Sequence, residues 1–157
     1  MLDVGEEAPD FTLHDQDDDP VHLAEFRGRP VVVYFYPRAD TPGCTTEACS
    51  FRDAWADYEE RDAVVLGVSD DPVSDLADFA EKYDLPFPLL SDPDGEVAAA
   101  YDSYGEKTMF GNTFDGVFRN TFVVGPDGRI AAVHPDVDPE GHADAILADV
   151  EEAAGAA

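Results

Sequence analysis

The stretch Val31-Val32-Val33-Tyr34-Phe35-Tyr36-Pro37-Arg38-Ala39-Asp40-Thr41-Pro42-Gly43-Cys44-Thr45-Thr46-Glu47-Ala48-Cys49 decides how this chain folds, and it holds both of its cysteines. Val31 to Tyr36 is an unbroken run of large, mostly apolar side chains and reads as a strand buried on both faces. Pro37 cannot donate to a strand ladder and stops it. Thr41-Pro42 is a helix-start signal, a capping hydroxyl followed by proline at the first helical position. Cys44 therefore falls in a first helical turn, where unpaired backbone N–H groups and the positive end of the helix dipole favour thiolate over thiol. A free cysteine is often only a small buried hydrophobe. Three residues after Thr41, at a helix start, the nucleophile is the better reading, and redox chemistry is the expectation.

Cys49 leaves two readings open, a packing residue on the helix or a second working thiol. Residues five apart in a regular helix have Cα atoms about 8.6 Å apart from the helix parameters. A disulfide needs a separation below roughly 7 Å. The two thiols cannot bond while the helix is intact, so a Cys44–Cys49 bond requires the first turns to unwind. Gly43 and the Thr45-Thr46 pair have modest helix propensity, which suits a weak helix start.

The pattern Pro37-x-x-x-Thr41-x-x-Cys44 resembles the active-site signature of peroxiredoxins, and Cys49 narrows the likeness to the peroxiredoxin Q, or bacterioferritin comigratory protein, group. The resemblance extends through Gly5-Glu6-Glu7-Ala8-Pro9-Asp10-Phe11-Thr12-Leu13, Phe51-Arg52-Asp53, Tyr104-Gly105-Glu106-Lys107, Arg119-Asn120-Thr121-Phe122 and Gly141-His142. Ala39, where the group usually has an acidic residue, is the chief departure. The resemblance implies a thioredoxin-like α/β fold and a thiol-dependent peroxidase acting on hydrogen peroxide and alkyl hydroperoxides. In that scheme Cys44 attacks the peroxide and Cys49 resolves the product as an intramolecular disulfide. Thr41 and the Cys44 backbone N–H bond the peroxide, Pro37 shields the thiolate, and Arg119 stabilises it. Thioredoxin or a similar dithiol recycles the disulfide, and no metal, haem or flavin is needed. A monomer or weak homodimer is expected.

Read from the residues alone, each of these has a plainer role beside the chemical one. Thr41 is an ordinary N-cap, and Pro37 a strand terminator. Arg119, between Phe118 and Asn120, enters an apolar strand, where a charge usually faces solvent. With only nine cations in the chain, an arginine at that position is nevertheless expected to work in the site. Arg38 reads as solvated, and Trp55 as core. Glu47 is read equally well as a carboxylate favouring the helix dipole and as a polar member of the site. The four histidines have no ligand spacing with the cysteines. Asp15-x-Asp17-x-Asp19 imitates a calcium loop, but Pro20 stands at the glycine position and Phe26 at the closing glutamate.

At 157 residues the chain reads as one domain, 1–157. Thirty-six acidic against nine basic residues give a formal charge of −27, spread along the chain. Nucleic-acid binding is excluded by that balance. No apolar run approaches the roughly 18 residues of a membrane span, so no membrane association and a cytoplasmic location are expected. Two cysteines are too few for a disulfide framework and suit a reducing compartment. Such charge self-repels in dilute buffer but is screened at about 1 M salt, where the Debye length falls to roughly 3 Å, and the surface reads as that of a halophile.

The rest of the chain patterns as a mixed sheet flanked by helices. Phe11 to Leu13 and Val21 to Leu23 read as an N-terminal β-hairpin. A helix carries Ala48, Phe51, Trp55 and Tyr58, and Ala63 to Ser69 is a strand. Pro72 to Tyr83 is a helix, Leu89 to Ser91 a short strand and Glu96 to Tyr101 a brief helix. Two strands follow around Pro126-Asp127-Gly128, and a last helix carries Ala143, Ile146, Leu147 and Val150. A Cys-x-x-Cys disulfide oxidoreductase is disfavoured by the cysteine spacing, whereas a peroxide-responsive redox sensor needs the same chemistry and stays open.

Overall fold

The computed structural model describes residues 3–37, 42–109, 111–135 and 142–155. At its centre is β3 (Val31–Phe35), flanked by parallel β4 (Val64–Ser69) and antiparallel β8 (Thr121–Val124). β5 (Leu89–Ser91) runs parallel to β4, and β9 (Ile130–His134) antiparallel to β8. The hairpin of β1 (Thr12–His14) and β2 (Pro20–His22) joins β5 through His14 and Ser91, giving a seven-stranded mixed sheet in the order β2-β1-β5-β4-β3-β8-β9. In the loop between β1 and β2, Asp15 Oδ1 accepts the backbone N–H groups of Asp17 and Asp19 at 2.9 and 3.0 Å, the solvated turn that Pro20 led one to expect.

The two faces of β3 explain its uninterrupted apolar run. Val32, Tyr34 and Tyr36 point into one core cluster; Val31, Val33 and Phe35 point into the other. The first cluster is covered by α1 (Pro42–Asp53), α3 (Val73–Tyr83) and α5 (His142–Gly155), which contribute Ala48 and Phe51, Leu76 and Phe79, and Ile146 and Val150. The second lies beneath the N-terminal hairpin and α4 (Glu96–Ala100), with Leu13, Val21, Ala98 and Tyr101.

Two features depart from the sequence reading. The helix carrying Ala48 to Tyr58 is divided at Ala54 into α1 and α2 (Trp55–Glu60). Backbone bonds continue across the break, and beyond it the Tyr58 hydroxyl donates to the Ala143 carbonyl of α5 at 2.7 Å. The segment 104–117 forms a second, two-stranded sheet of β6 (Tyr104–Met109) and β7 (Asn112–Val117). Its strands are polar and glycine-bearing, so hydrophobic alternation did not announce them.

Candidate active site

Helix α1 begins at Pro42, and Cys44 is its third residue, 1% exposed, inside the core cluster with Tyr34, Tyr36 and Phe51. The expected first-turn position is therefore occupied. Arg119 reaches it from 75 residues away: Nη2 donates to Cys44 Sγ at 3.3 Å, and Nη1 donates to Glu47 Oε1 at 3.0 Å. Arg119 lies in the connection between β7 and β8, at the entry to the apolar strand as expected. The guanidinium is 18% exposed and the Glu47 carboxylate 0%.

That connection is fixed by its backbone. Phe118 N–H donates to the Ser103 carbonyl at 2.7 Å, and Asn120 Nδ2 donates to Ser103 Oγ at 3.0 Å. Asn120 accepts the Phe35 N–H through its carbonyl at 2.9 Å. Arg119 is thus aimed by a segment tied at both sides, and little rotamer entropy remains to be lost when its planar fork engages the sulfur and the carboxylate.

The electrostatics follow from burial. Glu47 is pushed up to about 7 by burial, opposed by the charge and hydrogen bond of Arg119. Burial works to lower the ionisation of Arg119, but Cys44 and Glu47 beside it hold it above its ordinary value. The fork is a permanent cation under all ordinary conditions. Of the two equal readings of Glu47, the polar member of the site gains support, since the buried carboxylate accepts a hydrogen bond from Arg119, while its place early in α1 still suits the helix dipole.

Pro37 is half-buried and shares with Arg119, Lys107, Phe118, Asn120, Asp102 and Pro135 the wall of an open depression of about 540 Å³. Arg119, which donates to Cys44 Sγ, is the wall residue that joins this depression to the sulfur. Cys49, five residues along α1, is half-buried, and both thiols are free. With α1 helical from Pro42 to Asp53, the spacing argument against a direct bond in this conformation holds. Thr41, Arg38 and Gly141 lie outside the described residues. Trp55 packs partly buried against the core, its ring 5.9 Å from that of Phe87.

Sequence reasoning gave no role to Lys107, which lines the same depression. The signal was available. The scarcity of cations that singled out Arg119 applies with equal force to one of only two lysines in the chain.

Among the described residues, no helix is long and apolar enough to cross a membrane. Residues 4–133 match the AhpC/TSA family. The chain is 44% identical over 146 residues to peroxiredoxin Bcp of Escherichia coli strain K12, covering 93% of this chain and 94% of that one. Among solved structures it resembles the bacterioferritin comigratory protein of Xanthomonas campestris, studied for alkyl peroxide reduction through trapped intermediate and ligand complexes. That likeness has a TM-score of 0.90 and 35% identity over 97% of this chain and 99% of that one. It is also similar to the peroxidoxin BcpB of Mycobacterium tuberculosis, with a TM-score of 0.86 and 38% identity over 97% and 98% of the two chains. A mixed sheet flanked by helices, a cysteine at a helix start and this extent of likeness agree: the chain belongs to the AhpC/TSA family, with a thioredoxin-like fold, as a thiol peroxidase of the peroxiredoxin Q, or bacterioferritin comigratory protein, group.

Proposed function

We propose that Cys44 is the peroxidatic thiol and Cys49 the resolving one, with Arg119, Thr41 and Pro37 as their supporting residues. The observation that carries this reading is the 3.3 Å contact from Arg119 Nη2 to Cys44 Sγ at the start of α1. The Cys44 thiolate attacks one oxygen of a hydroperoxide, and the O–O bond breaks. The leaving oxygen departs as water or an alcohol after taking up a proton, and the sulfur becomes a sulfenic acid. Arg119 and the unpaired N–H groups of the first helical turn stabilise the charge that passes from sulfur to the leaving oxygen. Thr41 adds a hydroxyl donor to the peroxide, and Pro37 narrows access of water to the sulfur.

The start of α1 then unwinds, bringing Cys49 to Cys44. Condensation expels water and leaves a disulfide, which an external dithiol, thioredoxin or a related protein, returns to two thiols. The substrate class is hydrogen peroxide and alkyl hydroperoxides. The enzyme works in the reducing cytoplasm as a monomer or weak homodimer, without nucleic-acid or membrane partners. Its acidic surface suits a halophile.

The experiment is peroxide consumption with and without a thioredoxin system, in dilute buffer and in molar KCl. Cys44→Ser abolishes consumption; Cys49→Ser completes one fast turnover and accumulates a sulfenic acid trapped by dimedone. Turnover by the Cys44 variant, or no first turnover by the Cys49 variant, reverses the assignment. Stoichiometric oxidation with no catalytic turnover favours a redox sensor. A rate that does not rise with KCl removes the halophilic reading alone.

A further inference from the structure

Lys107 is one of two lysines in a chain with thirty-six acidic residues, and it is partly buried. The β6–β7 ribbon carries it to the wall of the depression that Arg119 also lines. Its Nζ donates to the Val117 carbonyl at 2.6 Å and lies 5.8 Å from the centroid of the Phe118 ring. Those are the two residues that immediately precede Arg119. The Phe118 ring is in turn seated against Gly105 of β6, where a Cβ would stand 3.2 Å from Phe118 Cε2. The ammonium is therefore held in place, and the same bonds grip the segment that aims the guanidinium.

We propose that Lys107 is a positioning residue of the peroxidase site: a second, fixed cation beside Arg119 that favours the Cys44 thiolate and steadies the 117–119 segment. This rests on the reading of Cys44 as the attacking thiol. The charged groups acting on Lys107 are Arg119, Cys44 and Asp70, with Asp102 on the same depression. Burial first, and then Arg119, lower the Lys107 ionisation, while Cys44 and Asp70 raise it. The carbonyl bond and the ring face offset the desolvation of a cation held there. Both cations line one depression, partly shielded from water, where a positive charge is screened less than on the open surface.

The test uses full-length reduced protein in the Cys49→Ser background, so that Cys44 alone reports. Iodoacetamide alkylation rate is measured against pH for Lys107→Met, Lys107→Gln and Lys107→Arg, together with the stopped-flow peroxide rate. Both neutral variants are expected to move the midpoint of the alkylation profile up by about 0.5 unit and to slow the peroxide step about threefold at 0.1 M KCl. Lys107→Arg is expected to restore both, and the shift is expected to shrink in 3 M KCl, roughly where screening is complete. Two neutral variants keep the test open where one fails to fold. A midpoint unchanged in the folded neutral variants overturns the proposal, as does a shift that the arginine variant shares in full, because packing alone would then explain it. A parent protein that alkylates normally but consumes no peroxide overturns the peroxidase reading of Cys44. The midpoint shift would still read the field of Lys107 on the sulfur.

Discussion

Tyr34 and Phe35 are neighbours on one strand, both almost inaccessible to water, yet they face opposite halves of the molecule with opposite economies. Phe35 points into the half that holds Val33, Leu66, Tyr101 and Phe122, with ring centroids 5.4 Å from Tyr101 and 6.0 Å from Phe122. The polar atom nearest that aromatic group is satisfied: the Tyr101 hydroxyl donates to the Pro9 carbonyl at 2.6 Å. Tyr34 points the other way, toward α1, stacked 4.9 Å from Phe51 among Cys44, Ala48 and Tyr36. Its hydroxyl is buried with no hydrogen-bond partner among the described residues. The hydroxyl lies so close over β4 that a Cβ at Gly67 would stand 2.7 Å from it. The half that carries the thiol also buries Glu47 and half-buries Arg119. In the first half the polar groups that burial encloses are matched by hydrogen bonds, as where Asp92 accepts from the Val97 and Ala98 N–H groups. In the second, burial works against the charge of the carboxylate it encloses, Glu47.

Truncation on the apolar side separates the halves most sharply. Phe35→Ala is expected to lower stability to urea by about 3–5 kcal/mol, the ordinary cost of deleting a buried phenyl ring. The pH profile of Cys44 alkylation in the remaining folded protein should be unchanged. A profile that moves with Phe35 would show that the two halves are not independent.

Glu47 gives the next largest effect, and it depends on pH. Its carboxyl is raised from 4.5 to about 7 in the folded chain, chiefly by burial. Between those values the folded state holds a proton that the unfolded state has released. The resulting contribution is complete below pH 4.5 and disappears as pH rises through about 7, a span worth roughly 3 kcal/mol. Glu47→Gln lacks this slope. The stability of wild type minus that of Glu47→Gln should therefore fall between pH 4.5 and 7.5, and a difference that is flat or rises would contradict the buried-acid account.

Arg119→Met targets chemistry more than folding. The peroxide step should slow by tenfold or more, about 1.4 kcal/mol per decade, as read by stopped-flow kinetics. The same change removes the cation at Glu47 Oε1 and should extend the Glu47 stability slope to higher pH. An unchanged rate would take Arg119 out of the reacting site and leave it a structural partner of Glu47.

Tyr34→Phe has the smallest effect and the most telling sign. Removing an unpartnered buried hydroxyl should raise urea stability by about 1 kcal/mol, where most core changes lower it. A loss of stability instead would mean that the hydroxyl is satisfied, and that the two faces of β3 differ less than their side chains suggest.

Local signals in the chain were legible because they depend on near neighbours. The run Val31 to Tyr36, the stop at Pro37, the Pro42 helix start and the five-residue cysteine spacing all act within a few residues, and each stands where it was expected. The β6–β7 ribbon was not legible, because its polar strands pair through backbone bonds that leave no hydrophobic alternation in the sequence. The break at Ala54 was equally hidden: no proline or glycine marks it.

By itself, then, the sequence determined that Cys44 sits at a helix start, why the helix begins there and why Cys49 cannot bond Cys44 without unwinding. All of these are consequences of backbone geometry over a single turn or two. Tertiary structure decided what surrounds the sulfur. Arg119 meets Cys44 and Glu47 across separations of 75 and 72 residues, and Lys107 arrives on a ribbon outside the main sheet. Whether Glu47 is a solvated helix-end charge or a buried acid cannot be a property of its neighbours in sequence, because burial exists only once distant elements have closed over it and excluded water.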